Sequence, residues 1–584
     1  MADYEDFLYD KHAFADTHPD LLYTLGSLFG MQPAPIDKCR VLELGCGLGG
    51  NLIPLGELFP ESEFVGVDLS VAQIAVGQAE VRALGLGNVH LHAMDILALT
   101  PQMGRFDYIL CHGVYSWVPP AVQDRILAIC RVHLAPQGIA YVSYNTLPGW
   151  HVRGLIRDVL RRHATATDPV ERVAQARELA EFIHRFTPAE RSHAAAWLKA
   201  ELGVIGRLSD AYVLYEHLVE VNTPCYFKDF VTKAAQNGLQ YVADAEFSSM
   251  SPARYGPEVA ARIEGFARTL VESEQYLDYL TVRFFRRSLL CHHEVRLNRK
   301  LTADRLAGRV VTSRLKPSGD GVFRSSDGMV IDTQDPLIGA ALQTLSGYPQ
   351  GLRFEELCVR AAATLGRPPT RIDREELGGT LLELFATGGV LLGTWKPLWT
   401  PQISSRPKAA RFSRHEAAHS EQTTNLRHQT ISLDPLDRAI IRRLDGRSRQ
   451  ALYDAIVDDV VHGVFNVERE GERVTNPEWL AELVDQKLER IAAQGLLLVD
   501  EETDTSISKE NIAYVLHRHD RDHRQKNQHA DPVDEPLELA GHGAAGDGLD
   551  ADEHQPAAVE AGERQQVEQP EVDAEDGHEG EEPG

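Results

Sequence analysis

Between Arg40 and Asn145, short apolar runs alternate with longer stretches of mixed polarity. Val41-Leu42-Glu43-Leu44, Phe64-Val65-Gly66-Val67-Asp68, Val89 to Asp95, Phe106 to His112 and Gly138 to Asn145 read as five strands. Strands alternating with helices predict a parallel sheet covered on both faces. Right-handed crossovers then place the strands' carboxyl ends along one edge, where open α/β sheets bind ligands. Residues 1–36 are expected to be helical and to precede the first strand. From His151 to about Lys300 the pattern predicts a helical segment, with Asp168-Pro169 and Thr187-Pro188 as helix starts and Asn237-Gly238 as a stop.

A repeat follows. Asp335-Pro336-Leu337 precedes Leu345 and Gly347 with the spacing by which Asp434-Pro435-Leu436 precedes Leu444 and Gly446. The copies close on Gly389-Val390-Leu391-Leu392 and Gly495-Leu496-Leu497-Leu498. This predicts two small modules of winged-helix type, at 301–400 and 431–505, with the polar stretch 401–430 as a linker. Neither has an obvious basic recognition helix, so protein contact or scaffolding is expected of them.

Composition narrows the class. The chain has 584 residues and 43% apolar content, enough for several packed domains. Its seven cysteines are scattered without a C-x-x-C pair, which argues against a zinc site or a disulfide framework. Cys291-His292-His293 are adjacent, and neighbours rarely converge on one ion, so no metal is expected. The first residues lack a signal-peptide pattern and no run is long and apolar enough for a membrane span. A cytoplasmic protein without membrane partners is expected. The net charge is −27, and residues 531–584 hold 18 acidic residues against one basic residue, Arg564. The stretch 506–584 is therefore expected to be a disordered acidic tail. Acidity of body and tail also argues against a nucleic-acid partner.

The loop after the first strand fits two cofactors. Gly45-x-Gly47-x-x-Gly50 has dinucleotide spacing, and Glu43-x-Gly45-x-Gly47-x-Gly49 has the spacing of an S-adenosylmethionine loop. Charge separates them. A pyrophosphate needs positive potential at the loop, which Glu43 opposes. The ammonium and sulfonium of S-adenosylmethionine would be attracted to Glu43, while the glycines admit its methionine and ribose portions. Asp68, ending the second strand, is placed to accept the ribose hydroxyls. Asp95 can accept from the adenine amino group, with Ile96 against the ring. Cys46, Leu69 and Cys111 are counted in the same pocket.

These residues carry a resemblance. The block resembles class I S-adenosylmethionine-dependent methyltransferases, including the turn Leu134-Ala135-Pro136-Gln137-Gly138, where Gln137 replaces a more usual glycine. Tyr4, Tyr9 and His12-Ala13-Phe14-Ala15-Asp16-Thr17-His18-Pro19 resemble the N-terminal segment of the methyltransferases that carry a regulatory domain. So do His112-Gly113-Val114-Tyr115-Ser116-Trp117-Val118-Pro119 and Ser143-Tyr144-Asn145-Thr146-Leu147-Pro148-Gly149-Trp150 after strands four and five. Asn222-Thr223-Pro224-Cys225-Tyr226-Phe227 with Gly238-Leu239-Gln240-Tyr241 resembles the regulatory domain itself. Rickettsial-type protein lysine methyltransferases are members. The resemblance implies a cofactor-capping segment at 1–36, a Rossmann-like catalytic domain at 37–150 and a helical regulatory domain at 151–300.

It also implies methyl transfer to a protein side chain, lysine by preference. A small-molecule methyltransferase and a non-catalytic cofactor-binding regulator are the alternatives. Tyr4 and Tyr9 are expected to close over the cofactor. Tyr115, Trp117, His112 and Asn145 are the expected catalytic residues, with His112 as a candidate proton acceptor. Tyr144, Trp150 and His151 are expected to contact the acceptor. Amino-methylating DNA enzymes carry an [Asn/Asp/Ser]-Pro-Pro-[Tyr/Phe] tetrad after strand four, where this chain has His112-Gly113-Val114-Tyr115.

Overall fold

The first five strands are β1 (Arg40–Leu44), β2 (Glu63–Asp68), β3 (Val89–Ala93), β4 (Phe106–Cys111) and β5 (Leu134–Asn145). All pair in parallel, β1 against β2 and β4, β2 against β3, and β4 against β5. Val41, Leu42, Leu44, Ile109 and Leu110 are wholly buried, as expected of strands covered on both faces. The helices α1 (Pro19–Leu28), α2 (Leu52–Leu58), α3 (Val71–Leu84), α4 (Pro120–His133) and α5 (Gly149–His163) accompany the sheet. The computed structural model describes residues 9, 11–469 and 472–499, so Tyr4 and the acidic stretch 506–584 lie outside the described residues.

The segment 151–300 departs from the helical expectation. It supplies β6 (Leu239–Asp244) and β7 (Phe285–His292), which extend the same sheet in the order β3-β2-β1-β4-β5-β7-β6. Both run antiparallel to their neighbours, with β7 against β5 from Ala140↔Leu290 to Asn145↔Phe285. Arg286 interrupts the apolar pattern of β7, yet it is fully buried. Its guanidinium meets Asp278 at 2.8 Å through Nε and Glu274 at 2.8 Å through Nη1. Pairing with two carboxylates is what lets the charge be buried there.

The N-terminal segment is less helical than expected. Among its described residues, only Ala15–Thr17, Pro19–Leu28 and Ile36–Lys38 are helical. His18 caps α1 by accepting the Asp20 N–H at Nδ1, and Pro19 starts it.

The repeat aspartates both cap helices. Asp335 Oδ1 accepts the N–H groups of Leu337 and Ile338, and Asp434 forms a reciprocal capping box with Asp437. In the first copy, helices Pro336–Ser346, Phe354–Thr364 and Arg371–Thr387 pack with a three-stranded sheet containing Val310–Ser313 and Val390–Gly393. The expected linker 401–430 is instead folded, into the helix Arg411–His419 and the paired strands Gln422–Thr424 and Thr430–Ser432. Its polar composition conceals two anchors, Phe412 and Leu426, both buried.

These C-terminal parts clasp the catalytic sheet. Asp20 accepts the N–H groups of Thr394 and Trp395, and His18 stacks on Trp395 with ring centroids 5.6 Å apart. Lys11 lies 2.6 Å from both Glu80 of α3 and Glu416. Among the described residues, no helix is long and apolar enough to cross a membrane.

Candidate functional site

Gly45, Gly47 and Gly49 have φ of +76°, +52° and +76°, a left-handed backbone that favours glycine. Space is equally limiting, since a Cβ on Gly45 would lie 2.4 Å from Val114 Cγ2. The N–H groups of Gly45 and Cys46 donate to Val67 O at 2.8 and 3.1 Å, binding the loop to β2.

Three expected cofactor carboxylates stand at or just beyond the ends of adjacent strands β1, β2 and β3. Asp68 Oδ2 accepts from Gly47 N at 2.8 Å, and its Oδ1 accepts from Ser70 N at 2.9 Å. Asp95 Oδ1 accepts from Leu97 N at 2.8 Å. Asp95 is exposed, Ile96 half-buried and Leu69 exposed. Glu43 is buried, with Oε1 accepting from Asn51 Nδ2 at 2.9 Å. Its Oε2 has no partner among the described residues. Burial pushes the Glu43 carboxyl up to about 8, opposed by the Asn51 bond and reinforced by the nearby charge of Asp68. A buried carboxyl oxygen without a partner, with Asp68 close by, suits a cationic ligand, which would draw the group into its ionised form. Cys46 and Cys111, also expected in the pocket, are both buried and belong to the hydrophobic core beneath the loop.

The residues after β4 and β5 divide into packing and lining groups. Tyr115 and Tyr144 are buried around Phe230, with ring centroids 5.3 and 4.1 Å from it. The Tyr144 hydroxyl lies 3.0 Å from Ser288 Oγ of β7. In this structure both rings pack in the core, and the Tyr115 and Tyr144 roles expected from the sequence stay expectations. His112 Nδ1 lies 2.9 Å from the Tyr141 hydroxyl, and its ring lies 3.9 Å from Phe14. Burial, with the charges of Arg287 and His12, pushes it down to about 3. It is neutral near pH 7 and a weak base, which counts against the proton-accepting role expected of it.

Trp117 is half-buried and meets Trp150 edge to face, 6.0 Å apart and inclined at 83°. Trp150 Nε1 donates to Asn222 Oδ1. The Arg157 guanidinium lies 5.0 Å from the Trp117 ring centroid, so the fold's own cation lies against this ring. Asn145 and Asn222 each hold a buried Nδ2 without a partner among the described residues. Ser116 joins them, because Asn145 N donates to Ser116 Oγ and Thr223 N to Ser116 O. His151 is exposed on the first turn of α5, apart from this buried group. Tyr9 packs on Tyr215, with ring centroids 5.5 Å apart.

Comparison with known proteins places the chain in a family. A methyltransferase domain matches residues 41–138, and a domain described as a predicted methyltransferase regulatory domain matches 209–292. The PKMT C-terminal winged helix domain matches 405–496. The structure of PKMT2 from Rickettsia typhi aligns with a TM-score of 0.76 at 30% identity, covering 84% of this chain and 100% of that one. In complex with AdoHcy, the same protein aligns with a TM-score of 0.75 at 32% identity, covering 84% and 99%. An uncharacterized protein of Rickettsia prowazekii (strain Madrid E) is 32% identical over 518 residues, 85% of this chain and 93% of the relative.

The chain belongs to this family of S-adenosylmethionine-dependent methyltransferases. In this methyltransferase the regulatory match contains β6 and β7, so the regulatory domain completes the catalytic sheet. The winged-helix match begins inside the stretch expected as a linker.

Several residues that shape the methyltransferase site went unread in the sequence. Asn51 directly follows Gly50, and a polar residue closing a glycine loop was an available signal. Gln73 Oε1 is buried without a partner among the described residues, 3.0 Å from where a Gly47 Cβ would sit. Phe14 and Asn222 stood inside motifs that carried the resemblance without a role of their own, and the distant His428 had no comparable signal.

Proposed function

We propose that this methyltransferase modifies lysine side chains of proteins. The observation that carries the reading is the Trp117–Trp150 corner with the unpaired amide donors of Asn145 and Asn222, reached from the strand ends that follow Glu43's neighbours in the sheet. Unpaired amide donors suit the carbonyl oxygens of a polypeptide, and the aromatic corner suits an aliphatic stem ending in an amine. The matches to PKMT2 and to the PKMT winged helix domain support a protein substrate.

S-Adenosylmethionine, when bound, supplies an electrophilic methyl group. Glu43 Oε2 would take its ammonium, Asp68 the ribose hydroxyls, and Asp95 with Ile96 the adenine. Gly45, Gly47 and Gly49 keep the loop free of side chains. Tyr9 would close the N-terminal side. The remaining demand is on the acceptor, since a lysine amine attacks only when deprotonated. Lowering its pKa from about 10.4 to 7.4 costs about 4 kcal/mol. Desolvation against Trp117 and Trp150, beside the Arg157 cation, acts in that direction. Neutral His112 does not take the proton, so the amine is expected to lose it to water before transfer.

The test is incubation of the full-length enzyme with methyl-deuterated cofactor and a fractionated bacterial lysate. Mass spectrometry should place the label on lysine nitrogen in proteins. Label confined to small molecules, or to carboxyl esters, would overturn the reading.

A further inference from the structure

Asn51 gathers three distant parts of the chain. Its Oδ1 accepts from Phe14 N at 3.1 Å, and Thr17 Oγ1 lies 2.9 Å from its Nδ2. His428 Nε2, from the C-terminal part, lies 2.7 Å from the same Oδ1. Asn51 Nδ2 also donates to Glu43 Oε1 at 2.9 Å. A backbone N–H can only donate, so Phe14 fixes which side of the amide is oxygen. His428 Nε2 must then carry the proton and donate as well. Burial holds the His428 imidazole well below its usual pKa, which keeps it neutral. His428 is nearly inaccessible and has φ of +59°, a backbone that few non-glycine residues adopt. His18 packs edge to face against it, 5.4 Å between centroids, while stacking on Trp395.

We infer that His428 is a positioning residue for the cofactor carboxylate, locking the Asn51 amide in the orientation that presents its NH₂ to Glu43. The winged-helix part thereby contributes to the cofactor site from 377 residues away in sequence. The amide engages only Oε1 of Glu43, which leaves Oε2 for the incoming cation. Removal of the C-terminal contact would leave the amide oxygen held by the Phe14 N–H alone, which weakens the preference for the orientation that presents NH₂ to Glu43. This inference rests on the reading of Glu43 as the partner of the cofactor's ammonium.

The test compares two substitutions in the full-length chain. His428→Gln keeps an N–H donor at the reach of Nε2. His428→Asn tolerates the left-handed backbone but is too short to bridge to Asn51. Calorimetric titration with S-adenosylmethionine should show affinity within about threefold of the original for Gln and a loss of about tenfold for Asn, the worth of one hydrogen bond to the amide. Turnover at saturating cofactor should be unchanged in both. Asp20→Asn, which weakens C-terminal docking through Thr394 and Trp395 without removing the His428–Asn51 bond, should leave cofactor affinity intact. Equal affinities for the His428→Asn variant and the original, or equal losses in the Gln and Asn variants, would overturn the inference. Glu43→Gln with unchanged affinity would instead overturn the cofactor reading on which it rests.

Discussion

Asp68 Oδ2 accepts the backbone N–H of Gly47 at 2.8 Å, so the carboxylate at the tip of β2 braces the glycine turn after β1. The same group is our candidate for the ribose hydroxyls. Asp68→Ala removes both roles and should weaken cofactor binding by roughly thirtyfold or more, as two charge-assisted hydrogen bonds are lost. Asp68→Asn should fall between. Unchanged affinity by calorimetry would contradict the assignment.

Glu43 makes cofactor binding depend on pH. Its carboxyl is pushed up to about 8 in the empty site, and a cationic ligand needs it ionised. Binding should therefore release close to one proton at pH 7, and affinity should fall about tenfold per unit between pH 7 and 6. The stability of the empty enzyme moves the other way. A folded-state pKa above the unfolded value of 4.5 favours folding fully below pH 4.5, and that contribution is lost as pH rises through 8. Glu43→Gln should thus raise the melting temperature at pH 8 and change it little at pH 5. It should also abolish the proton release seen by titration in buffers of different ionisation enthalpy.

The aromatic residues should separate by role. Trp117→Ala should spare cofactor affinity and lower kcat/KM for a protein acceptor by about tenfold to a hundredfold. Tyr115→Phe should leave both within twofold, because Tyr115 is buried as a packing ring. Tyr115→Ala should cost about 3–5 kcal/mol of stability. A large transfer defect in a stably folded Tyr115→Phe enzyme would restore its hydroxyl to the chemistry.

Glu57 should matter to folding alone. At the end of α2 its Oε1 accepts Arg411 N at 2.7 Å and its Oε2 accepts Phe412 N at 2.9 Å, capping a helix 354 residues further on. Glu57→Ala should cost about 1–2 kcal/mol by thermal denaturation and speed proteolytic cleavage near residues 401–410.

The five parallel strands were legible because buried parallel strands are written as apolar runs, and the glycine loop because its backbone forbids side chains. Strand β7 was hidden by Arg286, whose charge is acceptable only beside Glu274 and Asp278, and no local pattern reports such a pairing. The folded part of 401–430 was hidden by polar composition around the two anchors Phe412 and Leu426. Residue type alone could not divide Tyr144 from Asn145, since alternate positions on a strand face opposite sides. The bond between Asn51 and His428 is a tertiary fact with no local trace.

Because β7 lies between β5 and β6, the methyltransferase and regulatory matches are two stretches of one hydrogen-bonded ladder. A chain shortened after Trp150 would keep the whole glycine loop but expose the backbone of Ala140–Asn145 as a bare, adhesive edge. The two matches are therefore not interchangeable cassettes. Truncation at residue 150 should yield aggregates rather than a small working enzyme, whereas the full-length chain keeps that edge covered.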